Sequence, residues 1–300
     1  MALAGLELQS RPVAGGRGFG KAGAYEELKG IAYFELDPGH ELNRRVTDLD
    51  LAPRNASGRV EINADVVILR PVDPEKRNRR LLLDVVNRGN PATLRDFSEG
   101  DAPGIGGGWL MQQGYTIARC GWQHDVPRER GLGIEVPDAL IDGHPISGPI
   151  MSVFEPDELT QVAELSDRGH RPYPAADLDE PGAKIFERPY FFGPERLLPR
   201  DSWRFARFEG GSIVPDATHV YLEGGFKAGH VYEIVYTTVG APVTGAGFAA
   251  TRDFISFLRF GDAAAGNPCA GEVDYALAFG ASQTGRFLRQ LLYLGFCEDE

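Results

Sequence analysis

The sequence predicts an α/β layered fold, and three observations carry that prediction. The last third reads strand, helix, strand, helix: "HVYEIVYTTV" (230–239), "GFAATRDFISFLRFG" (247–261), "YALAF" (275–279) and "QTGRFLRQLLYLGF" (283–296). Upstream, "LLLDVVNRGN" (81–90) and "YTIARCGW" (115–122) are short, nearly continuous apolar runs, the pattern of strands covered on both faces. Residues 24–71 alternate instead, with Val60, Ile62, Ala64, Val66 and Ile68 on one side, as half-buried strands do.

The elements follow in order. Residues 24–71 form a β-rich N-terminal portion, and "DPEKRNRR" (73–80) is a charged turn before the first buried strand. A short helix is predicted over 109–113, after the glycine run at 104–108. From 123 to 229 the chain is rich in Pro, Gly, Asp and Arg and reads as an insertion of loops and short strands. Its aromatic stretch 187–208 suits either a lid over an acyl or aryl substrate or an anchor for the insertion. In 247–261, Phe248, Thr251, Phe254, Ile255 and Leu258 recur at three- and four-residue spacing, with Gly261 as a stop. In the last helix Phe287, Leu288, Leu291, Leu292 and Leu294 make the apolar face, and "YALAF" before it reads as a buried strand.

Composition excludes several function classes. The net charge of −12 and pI near 5.1 argue against a nucleic-acid partner, which needs clustered positive charge. No apolar window is long enough for a membrane span, and the N-terminus lacks the basic start and apolar run of a signal peptide. The three cysteines Cys120, Cys269 and Cys297 have no zinc-like spacing and cannot pair completely. A reducing, cytoplasmic setting is the expectation. "GGRGFGKA" (15–22) comes within one residue of a phosphate-binding loop, but Ala22 stands where a magnesium-binding hydroxyl belongs. A plain N-terminal loop is the simpler reading.

"AFGASQTGRFLRQ" carries more chemistry. A nucleophile elbow needs a strand, a sharp turn with the nucleophile at its tip, and a helix running back. Gly280, Ala281 and Gly285 around Ser282 supply the small residues that such a crowded turn requires. Thr284 stands where the usual pattern has a second glycine. At the helix start, the Gln283 N–H can face a developing oxyanion. Serine is also a good helix N-cap, so a purely structural Ser282 is the competing reading. A second oxyanion donor is expected from the turn "VNRGN", with Asn87, Arg88, Gly89 and Asn90.

The runs "GFGKAGAYEELKGIAYFELDP", "TDLDLAPRNASGRVEINADVVILRPVDPEKRNRRLLLDVVNRGN", "GWQHDV" and "GASQTGRFLRQLLYLGF" together resemble a family of bacterial α/β-hydrolase-domain proteins, in the same order along nearly the whole chain. The resemblance implies a single α/β-hydrolase-like domain over 1–300, with a central, mostly parallel sheet. It implies Ser282 as nucleophile, Gln283 with Asn87 and Arg88 at the oxyanion site, and a small ester-like substrate. No cofactor and no metal are implied, and nothing bears on oligomeric state. In such hydrolases the acid and the histidine follow the serine. Here only Glu298, Asp299 and Glu300 follow as carboxylates, and all six histidines precede it. The expectation is therefore that the C-terminal strands are missing, that the triad acid and histidine lie beyond Glu300, and that the 300-residue chain alone is inactive. His124, beside Asp125, is the one internal stand-in for the base. The alternative expectation is a non-catalytic ligand-binding protein.

Overall fold

A computed structural model describes residues 2–97, 108–166 and 168–298. Residues 104–107 of the glycine run and the acidic residues Asp299 and Glu300 lie outside the described residues. The chain divides into two compact units, one of Met1–Pro137 with Pro242–Glu300, the other of Asp138–Ala241.

The first unit opens with β1 (Leu3–Pro12), β2 (Tyr25–Leu36) and β3 (Val60–Pro71), an antiparallel meander with long, regular registers. The alternation read from Val60 to Ile68 is the physical basis of β3, whose even positions are buried. β4 (Arg80–Asp84) follows, then two single-turn helices, α1 (Thr93–Asp96) and α2 (Trp109–Gln112). β5 (Thr116–Cys120) is buried along its whole length, Arg119 included, and β6 (Ile134–Glu135) pairs briefly with β3.

The described residues of the second unit form strands and turns with one short 3-10 helix, Arg200–Ser202. β7 (Leu140–Ile141) and β8 (His144–Pro145) make a small hairpin. β9 (Ser147–Phe154), β10 (Thr160–Glu164), β11 (Lys184–Arg188), β12 (Arg196–Leu197), β13 (Trp203–Glu209), β14 (Ser212–Phe226) and β15 (Val231–Val239) form two further sheets, ordered β12-β11-β15-β9 and β10-β14-β13. Every pairing in these sheets is antiparallel. Trp203 and Phe205 from the aromatic stretch lie in this unit's core with Tyr232 and Tyr236, whereas Tyr190, Phe191 and Phe192 are exposed.

The chain returns to the first unit with α3 (Ala246–Phe260), β16 (Tyr275–Phe279) and α4 (Gln283–Tyr293). Ala249, Ala250, Phe254 and Leu258 of α3 bury against Val60, Ile62, Ala64 and Ile68, the core face of the sheet. The sheet order is β1-β2-β3-β5-β4-β16. No helix among the described residues is long and apolar enough to cross a membrane.

This architecture corrects the predicted fold class. The protein is mostly β, with 40% strand against 19% helix and several antiparallel sheets, not a helix-rich α/β-hydrolase fold. The central sheet is not mostly parallel either: only β5, β4 and β16 run together, and the remaining pairings are antiparallel. The reason lies in period. Outside α3 and α4, stretches with helical spacing last a single turn, while two-residue alternation recurs through 147–154 and the other strands. Residues Leu3–Pro12, given no element from the sequence, form the ten-residue strand β1, because β2 offers a complete antiparallel partner. "YALAF" forms β16, which terminates the strand order and is more open than a strand covered on both faces, with Tyr275 63% and Leu277 46% exposed.

Candidate active site

β4 and β16 run parallel and in register, with Phe279 opposite Asp84. The Val85 N–H donates to the Phe279 carbonyl at 3.2 Å, so the pairing continues one step past the strand ends. Ser282 and Asn87 each lie three residues beyond that matched pair. Two turns therefore leave the same end of the sheet from adjacent strands, and they carry the residues singled out from the sequence.

Ser282 sits at φ 56°, ψ −116°, a left-handed conformation that non-glycine residues rarely adopt. The turn around it is tight. A Cβ on Gly280 would lie 2.5 Å from the Thr284 carbonyl oxygen, so glycine is required there by close approach. Gly285 is less constrained, its nearest neighbour being the Gly280 oxygen at 3.2 Å. Thr284, the departure from the usual glycine, is buried, and its hydroxyl bonds to both the N–H and the carbonyl of Ala281.

The competing N-cap reading of Ser282 fails on this geometry. Its side chain accepts no hydrogen bond from the helix, and Thr284 closes the turn instead. The serine is exposed at the head of an 11-residue helix. The Gln283 N–H, in the first turn, has no intrahelical acceptor and points with the positive end of the helix dipole.

The turn after β4 is equally fixed. Asn87 and Asn90 exchange backbone hydrogen bonds at 2.7 and 2.9 Å, which consumes both of their N–H groups. Arg88 at φ 47° and Gly89 at φ 77° form the tip, and their N–H groups have no backbone acceptor among the described residues. A Cβ on Gly89 would meet Val126 at 2.7 Å and the Gly131 backbone at 2.9 Å, so this glycine lets the turn press against 126–132. Of the four turn residues, Arg88 and Gly89 are the two whose N–H groups lie outside the Asn87–Asn90 exchange. Arg88 Nε and Gln283 Oε1 are both buried without a hydrogen-bond partner.

Several supports were not singled out as such in the sequence. Trp122 donates its indole N–H to the Val86 carbonyl at 2.8 Å and packs on Phe287 at 4.6 Å between ring centroids, which ties the β4 turn to α4. Asp84, completely buried, accepts from Arg119 Nε at 2.8 Å, from the Thr93 N–H at 3.1 Å and from the Thr93 hydroxyl. The signal was present: Asp84 and Arg119 are charges inside apolar runs of neighbouring strands, and buried charges need partners.

Other sequence expectations fall outside the site. His124 lies in the turn after β5. Glu298 is exposed past α4. "GGRGFGKA" forms two short 3-10 turns with Phe19 and Ala22 buried, and strand β2 follows, so the helix N-terminus of a phosphate-binding loop is not formed. Burial raises the Cys120 thiol to about 12 and the Cys269 thiol to about 11, which makes both poor nucleophiles. Among the described residues no His, Cys, Asp or Glu cluster could hold a metal ion.

No protein-family model matches the chain, and neither curated proteins nor solved structures give a match.

Proposed function

We propose that Ser282 is the nucleophile of a serine-dependent hydrolase acting on an ester or related acyl bond. The observation that carries this reading is the left-handed backbone of Ser282, combined with a side chain released from helix capping. A strained backbone of this kind costs about 1–3 kcal/mol, and such strain concentrates at functional sites. A structural serine would adopt an ordinary N-cap conformation and bond the helix.

The chemistry follows from the two turns. Ser282 Oγ attacks the carbonyl carbon while its proton passes to a general base, and the carbonyl π pair moves onto oxygen. The Gln283 N–H and an N–H from Arg88 or Gly89 stabilise that oxyanion. Collapse expels the alcohol with a proton and leaves an acyl-serine, which water then cleaves by the same route. The likeness of "GASQTGRFLRQ" to hydrolase elbows supports this reading. It needs only adjacent strand-end turns and a helix, and a mostly β protein can supply them.

A non-catalytic ligand-binding protein is the second reading. It is favoured by the low intrinsic reactivity of serine, which without an activating base is a weak nucleophile. Turnover of a p-nitrophenyl ester separates the two. With the intact protein and its general base present, a burst of p-nitrophenol stoichiometric with protein, lost in Ser282→Ala, is the expected result. Binding of the ester without a burst would favour the binding protein.

A further inference from the structure

The sheet face turned away from α3 holds a second feature. In the register of β2, β3 and β5, Lys29 lies opposite Val67 and Val67 opposite Arg119, so the three side chains share one face in a row. A cavity of about 310 Å³ lies over this row, walled by the Gly89–Pro91 turn and by residues 128–132. It adjoins a hollow of about 580 Å³ that shares Lys29 and Asp65.

Arg119 is the unusual group. It is only 7% exposed, and Asp84 takes just its Nε–H. Its Nη2 is buried and has no hydrogen-bond partner. Buried polar groups in folded proteins are almost always paired, and a guanidinium fork matches the oxygens of a carboxylate or phosphate. Among the other charged residues that line the cavity, Arg11 is paired with Glu27 and Arg128 with Asp65 at 3.3 Å, and Glu129 and Arg130 stand on its 128–132 wall. The exposed Lys29 and the buried guanidinium of Arg119 lie on either side of Val67, an apolar floor between two cations.

We propose that this cavity binds a small molecule bearing a carboxylate or a phosphate monoester, with the acidic group over Val67 between Lys29 and Arg119. The volume is at the low end for small-molecule sites, which fits a metabolite-sized ligand. The proposal stands apart from the role of Ser282.

Titration of the whole protein at low salt with inorganic phosphate, and separately with succinate, tests it. Saturable one-site binding of at least one probe is expected, weakened by added salt. Arg119→Lys keeps a cation beside Asp84 but removes the fork, and should weaken binding at least about tenfold, the usual worth of a charge-assisted hydrogen bond. Lys29→Gln changes an exposed side chain and should also weaken binding, with the fold checked by circular dichroism. Selective binding of phosphate assigns a phosphate monoester, and selective binding of succinate a carboxylate. Absence of saturable binding by either probe overturns the proposal, as does unchanged affinity in Lys29→Gln or in folded Arg119→Lys.

Discussion

Thr284 and Ala281 are locked together by one hydroxyl: Thr284 Oγ1 accepts from the Ala281 N–H at 2.8 Å and donates to the Ala281 carbonyl at 3.0 Å. This clasp closes the turn before the helix without using the Ser282 side chain. Thr284→Val keeps the shape but strands the Ala281 N–H. It should lower unfolding free energy by about 1–3 kcal/mol, and Thr284→Ser should restore most of the loss. Urea unfolding of the two variants measures both effects.

Ser282→Gly should stabilise the protein while abolishing any acyl transfer. Glycine adopts φ 56° without the Cβ penalty, so part of the strain is relieved, and a gain of about 1 kcal/mol is expected after glycine's entropy cost. Ser282→Ala keeps the Cβ and should give no such gain. A thermal melt comparing the two variants checks this.

Gly280→Ala places a methyl group 2.5 Å from the Thr284 oxygen and should destabilise by at least about 1–3 kcal/mol through overpacking. Gly285→Ala, whose nearest contact is 3.2 Å, should cost clearly less. Equal unfolding midpoints for the two variants would show that the turn is looser than described.

Glu187 predicts an acid limb for the Asp138–Ala241 unit. Burial would raise its carboxyl, but hydrogen bonds from Arg196 and Lys227 outweigh burial and lower it from 4.5 to about 2. His230 Nδ1, at 2.9 Å, completes the cluster. The folded value is the lower one, so the stabilisation is full above pH 4.5 and is lost as pH falls toward about 2. Unfolding followed between those values should show a decline that Glu187→Gln flattens, with that variant less stable at neutral pH.

The local elements were more legible than the whole. "YALAF" and "GFAATRDFISFLRFG" lie close to the observed bounds of β16 and α3, because strand and helix periods are written into the chain. Gly280 could be assigned a steric reason before its contacts were known. Fold class was not legible. The final strand–helix–strand–helix pattern was extended to a whole chain in which antiparallel pairing dominates, and partner direction is decided by contacts far apart in sequence. β1 was missed for the same reason: Ser10 to Pro12 are poor strand formers alone, and pairing with Glu26 to Leu28 overrides them. The Asn87–Asn90 exchange, outside which the Arg88 and Gly89 N–H groups lie, also depends on turn geometry that composition does not fix.

The most direct test of Ser282 is covalent. The protein should be treated with a fluorophosphonate, digested, and the adduct located by mass spectrometry. A single adduct on Ser282, absent after unfolding and in Ser282→Ala, is the predicted result. An unlabelled Ser282 in a protein that remains folded would contradict the nucleophile assignment and leave the strained turn as part of a binding site.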